Sequence, residues 1–443
     1  MNYLFSNKDL QRLITPLIFE QTLAITVGMA DTMMISSVGE AAISGVSLVD
    51  MINNLIFCIL AALATGGAVV TSQRIGAKDY SMARKSAKQL LYAVILFSLF
   101  LTILVFIFRL PLLKLFFGSI EADVMRNALI YFMISAISFP FLAVYNACAA
   151  LFRSMGNSQI TLKVSILMNL INVAGNALCI FVFKMGVAGV AIPSLISRAF
   201  AGIVLYILLK NPKHIIHFDK EPFHLDFGII KKILYIGIPS GIENGLFQLG
   251  RVLVVSIISG FGTIQIAANG VANNLDGMGC IIGQAMNLAT ITVIGQCVGA
   301  NDEKQIRYYT KKLLLITYVV SAFVIGFILT NLTSILNLYG LNQETTNLAA
   351  LLIRIHNGNA LIMWPIAFVL PNALRACNDV KYTMYVSIFS MFVFRVGLSY
   401  VIGIHFGMGA VGVWIAMIVD WIFRLSMFVG RYASGRWKKL CLH

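Results

Sequence analysis

The chain has 443 residues, of which 59% are hydrophobic and 12% charged, and it carries a formal net charge of +15. A soluble domain has about a quarter of its residues charged, so this composition excludes a large soluble enzyme. The basic excess raises nucleic-acid binding as a reading, which the placement of the charges then argues against.

In chain order, apolar runs recur at 13–36, 48–72, 88–109, 127–148, 160–183, 187–209, 233–258, 270–294, 312–332, 349–373, 383–404 and 410–430. Each is long enough to cross about 30 Å of hydrocarbon. Lipid offers the backbone no hydrogen bonds, so a spanning segment is a helix or part of a closed barrel. These runs are too long and too continuously apolar for barrel strands, which alternate over about ten residues. The prediction is an all-α polytopic membrane protein with twelve spans. The first span follows a short polar start without a small-residue cleavage site, so it reads as a retained helix.

Numbering the loops alternately from the N-terminus puts 24 of the 33 basic residues in the first set and only Arg109, Lys114, Arg126 and Lys184 in the other. The positive-inside rule makes the first set cytoplasmic, with both termini inside. The basic residues then orient the chain and meet anionic headgroups, and no nucleic-acid partner is expected. The seven cysteines show neither paired spacing nor a CxxC metal motif.

The sequence repeats itself. Gln73, Gly76, Ala77 and Asp79 return as Gln296, Gly299, Ala300 and Asp302, all offset by 223. The same offset takes Pro16 to Pro239, Glu20 to Glu243 and Gly39 to Gly262. L-F-R-S-M-G-N at 151–157 answers L-R-A-C-N-D at 374–379, and G-V-A-G-V at 186–190 answers G-A-V-G-V at 409–413. Two six-helix lobes, 1–209 and 233–443, are therefore expected, joined by a basic cytoplasmic linker at 210–232. Six spans per lobe is even, so the lobes share one orientation and relate by an axis along the membrane normal. Such lobes would leave a cleft for alternating access. The linker histidines His214, His217 and His224 read as solvated, since no ligand cluster accompanies them.

Carboxylates in the spans are costly and mark function by default. Glu20 and Asp31 lie eleven residues apart, on one face and roughly 16 Å apart along the axis. Either could carry a proton or hold a cation; the alternatives are snorkelling or a structural pair with arginine. In the seventh span Glu243, Asn244 and Arg251 form a second polar group, again open to a structural reading. Asp50, Asp276, Asp420, Arg198, Arg395 and Arg424 are weaker candidates, because interfacial snorkelling accounts for several. The fifth span carries Asn169, Asn172 and Asn176 along one face, either as helix glue or as a ligand wall of carbonyl oxygens. No Walker A, HExxH or GxSxG motif is present, and no enzyme is expected.

These features resemble the multidrug and toxic compound extrusion (MATE) family over nearly the whole chain. The resemblance rests on Pro16 and Asp31-Thr32, on the Gln73 and Gln296 loop starts with Gly-Ala three residues on, on Leu151–Asn157 and on Gly186–Gly189. It implies a monomeric antiporter of the inner membrane that exports small organic, often cationic, compounds on inward proton or sodium flow, without a cofactor. It implies that Asp31 is the family's first-helix aspartate and that Asn172 lies beside the cation site, with sodium possible at Asp31 and Asn172. Ser194 stands where one bacterial branch has threonine and Asn176 where it has aspartate, which leaves one fixed charge and favours a proton cycle on Asp31. Phe247 and Trp364 occupy the other branch's acidic positions, and one hypothesis has Glu243 substituting from a different turn. The alternative function is a lipid-linked saccharide flippase of a fold-related family, which would call for a more cationic cavity.

Overall fold

A chain this apolar satisfies its backbone only by helix formation, and the computed structural model, which describes residues 3–218 and 222–442, contains helices and no strand among them. Residues 219–221 of the predicted linker lie outside the described set. The first half runs α1 (Asn7–Ser36), α2 (Glu40–Gly76), α3 (Tyr80–Phe117), α4 (Ala122–Ser154), α5 (Ser158–Ala177) and α6 (Ala188–Leu208). The second runs α7 (Phe227–Ser259), α8 (Thr263–Gly279), α9 (Ile281–Gly299), α10 (Glu303–Thr330), the short α11 (Leu332–Asn337), α12 (Gln343–Trp364), α13 (Leu370–Ala376), α14 (Val380–Phe389), α15 (Gly409–Ala433) and α16 (Lys438–Cys441). Wide π-helical turns extend α5 through Leu178–Val182, join α12 to α13 through Pro365–Val369 and follow α14 at Ser390–Gly397 and Ser399–His405.

Among the described residues, eleven helices are long and apolar enough to cross a membrane. The predicted span not among these eleven, 349–373, falls on the continuous run from α12 through α13, whose apolar content is diluted by Arg354, His356, Asn357 and Asn359. The predicted span at 270–294 proves to be two helices meeting at Cys280. Gly277 and Gly279 precede the junction and weaken the helix there. The first predicted span begins earlier than expected, at Asn7, where Ser6 and Asp9 form a reciprocal capping box.

The repeat is visible in backbone geometry. Gly39 and Gly262 open α2 and α8 with φ of +136° and +100°, a region in which a Cβ is strained. Lys78 and Asn301 both take the left-handed conformation, at +59° and +55°. The residue after each caps the next helix: Asp79 accepts from Met82 N at 3.1 Å and Asp302 from Gln305 N at 3.0 Å. Packing repeats too. In the first half α2 meets α4 and α3, and α4 meets α6; in the second, α8 meets α12, α9 meets α10, and α12 meets α15. Small residues permit the close approaches: a Cβ on Gly202 of α6 would lie 2.7 Å from the Phe141 carbonyl of α4.

Contacts divide the chain into two compact units, Phe5–Gly241 and Ile242–His443 with Met1–Leu4. The division falls inside α7 rather than in the linker, because the first turns of α7 pack on α2 around Leu63 and Gly66. The described part of the linker lies against the first unit. Gln89 donates to the His224 carbonyl at 2.7 Å and accepts from Asp226 N at 3.0 Å. His214 meets the Phe152 ring edge-on at 5.3 Å, and Arg84 reaches His217 at 3.4 Å.

Candidate functional site

In the first unit, α1, α5 and α6 bring Asp31, Asn172, Asn176 and Ser194 together. The three-residue and four-residue spacing on α5 puts Asn172 and Asn176 on one face, and both are buried. Asn176 donates to Asp31 Oδ1 at 2.7 Å. In the amide orientation that satisfies its neighbours, Asn172 donates to the two Asp31 oxygens at 2.9 and 3.2 Å and accepts from Ser194 Oγ at 2.9 Å. Asp31 has no cation within ion-pair distance among the described residues. Its hydrogen-bond donors are the Asn176 and Asn172 amides. Asn176 Oδ1 is buried and accepts no hydrogen bond. A carboxylate, an orphaned carbonyl oxygen and a hydroxyl are the donors a hard cation takes, and the same oxygens can exchange a proton.

A second carboxylate adjoins this group. Asp50 of α2 accepts from Tyr131 OH at 2.9 Å. Arg198 of α6 is close enough to act on both Asp31 and Asp50, while its own guanidinium donates to Ser138 Oγ at 2.8 Å and lies 4.6 Å over the Phe57 ring. From sequence Asp50 is a weak candidate because it lies near the start of its predicted span, and Arg198 because snorkelling accounts for several such charges.

Glu20 belongs elsewhere on α1. It is buried, with Arg153 Nη1 3.7 Å away and with Tyr145 and Thr161 donating to it at 3.3 Å each. Glu243, its repeat equivalent, is also buried and touches Arg375 Nη2 at 2.5 Å without the N–H being aimed at that oxygen. Arg375 in turn donates to Asn372 at 2.6 Å. The two Glu–Arg pairs occupy matching places in the repeat, and neither shares a partner with Asp31. Asn244 is exposed and forms no side-chain hydrogen bond among the described residues. Arg251 is exposed and forms no ion pair or hydrogen bond among the described residues.

The second unit holds a polar cluster of different character. Asp276 of α8 is bonded to His356 of α12, and Cys280 Sγ lies 3.4 Å from its Oδ1. One ligand atom from each of these three falls within 4.8 Å of the others. Asn357 lies 2.9 Å from His356 Nδ1, and Trp414 and Trp421 meet the imidazole edge-on at 5.7 and 4.9 Å. Asp420 of α15 is fully buried between Arg424 at 3.1 Å, Arg395 at 3.9 Å and the Ser390 hydroxyl. A pocket of about 40 Å³ opens between Arg251, Asn269, Asn273, Arg395, Trp414 and Met417. Sequence held a partial signal: Asp276–Cys280 and Asp420–Arg424 are i,i+4 pairs. His356 carried none.

A family model described as MatE matches residues 16–178 and 239–401, two segments offset by the same 223 residues. A Bacillus subtilis protein described as the uncharacterized transporter YisQ is 27% identical over 95% of this chain and 93% of its own. A Thermotoga maritima protein described as the probable multidrug resistance protein NorM is 25% identical over 98% of this chain and 93% of its own. A crystal structure of a MATE protein in complex with MaD3S superposes with a TM-score of 0.90 at 20% identity, covering 98% of this chain and 97% of that one. These matches do not favour the flippase alternative. Two matched repeats, a helical fold shared along the whole chain and polar side chains set into the spans lead to one statement: the chain belongs to the MatE family and is a transporter rather than an enzyme.

Proposed function

We propose that this transporter is a secondary antiporter that exports small organic compounds on inward proton or sodium flow, with Asp31 as the coupling group. The observation that carries the reading is a carboxylate on a membrane-spanning helix that forms no ion pair with an arginine or lysine among the described residues, beside a buried carbonyl oxygen without a donor. Such a pair is costly unless an ion visits it. An ionised Asp31 accepts from the Asn176 and Asn172 amides. A protonated Asp31 becomes a donor, and a half-turn of the Asn176 amide then gives its Oδ1 a partner. A sodium ion would use the same oxygens, with Ser194 Oγ as a further donor. Either ion changes what α1 is bonded to on α5 and α6, which supplies the differential interaction that alternating access of the two lobes requires. The basic residues set the chain in an inner-type membrane with both termini cytoplasmic, and it works as a monomer.

The test is efflux from proteoliposomes carrying an imposed pH or sodium gradient, with wild type and Asp31→Asn compared. The reading expects one gradient to drive export by wild type and neither to drive it in the variant. Export by Asp31→Asn at the wild-type rate would refute it.

A further inference from the structure

The pocket in the second unit lies where the repeat places the first unit's acidic site, with the polarity of its walls reversed. The offset of 223 takes Asp31 to Val254, Asp50 to Asn273 and Ser194 to Met417, and all three line this pocket. Asn172 maps to Arg395, which also lines it. The helix holding Arg395 carries a one-residue slip that makes the last assignment instructive. The caps Asn157 and Asp379 are 222 apart, whereas the left-handed glycines Gly186 and Gly409 are 223 apart. The second half takes in one extra residue between those points, in the stretch where the π turns of Ser390–Gly397 run. A π turn is the ordinary way for a helix to absorb an inserted residue, and such bulges are frequent at functional sites.

No acidic side chain lines the pocket among the described residues. The carboxylates of the two polar clusters in this unit are occupied, Asp276 by His356 and Asp420 by Arg424 and Arg395. Arg251 has no counter-ion, so the walls carry an excess of positive charge. Neutral donors stand beside the arginines. Trp414 Nε1 donates to Asn269 Oδ1 at 2.9 Å, which fixes that amide and leaves its NH₂ unengaged. Val254, Met417 and the Trp414 ring supply an apolar side.

From these walls we infer that the second lobe binds the carboxylate group of a small aromatic or aliphatic organic acid between Arg251 and Arg395, with Asn269 and Asn273 as further donors; the pocket's volume of about 40 Å³ admits that group and leaves the rest of the acid at its mouth. Planar guanidinium groups match a carboxylate in geometry as well as charge. The assignment deepens the export reading by naming a substrate class. It rests on that reading only for the consequence that the bound acid is cargo.

The experiment is equilibrium dialysis of the detergent-solubilised full chain with radiolabelled benzoate, benzamide and benzylammonium, without any gradient and in uncharged detergent. Benzoate is expected to bind about tenfold or more tightly than the other two, the preference given by one charge-assisted hydrogen bond. Arg251→Gln and Asn273→Asp should each remove that preference, and Arg251→Lys, which keeps the charge and loses the planar fork, should retain only part of it. Arg251 is exposed and unpaired, so its replacement leaves the fold standing, and size-exclusion profiles check that. Equal binding of the three probes by wild type, or a benzoate preference unchanged in Arg251→Gln, overturns the assignment. Because no gradient is applied, failure here is separate from failure of Asp31 coupling, which the efflux assay reads by itself.

Discussion

The two halves share a backbone plan and differ in what they do with charge. In the first, Asp31 and Asp50 face a single arginine, Arg198, and Asp31 is held by amides. In the second, the corresponding positions are Val254 and Asn273, two arginines hold Asp420, His356 holds Asp276, and Arg251 stands without a counter-ion. A duplicated scaffold has kept the structural ion pairs, Glu20–Arg153 and Glu243–Arg375, at matching places. It has let the polar sites diverge. Repeated residues thus mark the frame, and residues that break the repeat mark the division of labour.

The largest effect expected from breaking this comparison is in Asp31→Asn, whose gradient-driven efflux falls to that of protein-free vesicles, while Glu20→Gln retains coupling in whatever fraction stays folded. Next come the paired glutamates. Removing one partner of a buried ion pair costs about 3–5 kcal/mol, so Glu243→Gln lowers the thermal midpoint sharply. Replacing both Glu243 and Arg375 with methionine regains much of the loss, since the uncompensated charge is gone. If Glu243 were instead the second lobe's coupling group, Glu243→Gln would stop gradient-driven export without loss of stability.

A smaller effect follows from helix packing. Gly202→Ala forces a Cβ into the Phe141 carbonyl and costs about 1–3 kcal/mol, read as a lower unfolding midpoint with coupling preserved. The smallest effect sharpens the chemistry of the first site. Asn176→Asp adds a second carboxylate beside Asp31, and sodium should then stabilise the protein by about 1.4 kcal/mol at ten times its dissociation constant. A thermal shift titrated with sodium against choline measures this. The same midpoint in both salts would contradict a cation-shaped donor set.

Much of the frame was legible in the residues. Apolar runs require helices in lipid, and the offset of 223 survives as paired glycines, caps and left-handed residues. The gathering of Asp31, Asn172, Asn176 and Ser194 followed from the family resemblance and from the stripe on α5. The tertiary pairings were not legible. Nothing local says that Arg153 rather than another arginine reaches Glu20, since the two are 133 residues apart in sequence. Asp50 looked interfacial because its span was begun at 48, whereas α2 begins at Glu40 and carries it deeper. The break at Cys280 and the π turns near Arg395 were hidden for a different reason. Apolar length sums over a helix and is blind to a one-residue change in its winding.

The most direct test of the account places wild type, Asp31→Asn and Arg251→Gln side by side in two assays, gradient-driven efflux from proteoliposomes and benzoate dialysis. The account predicts that Asp31→Asn loses gradient-driven movement and keeps benzoate binding, whereas Arg251→Gln loses benzoate binding. Loss of benzoate binding in Asp31→Asn with undiminished efflux would contradict the assignment of ion coupling to one half and anion recognition to the other.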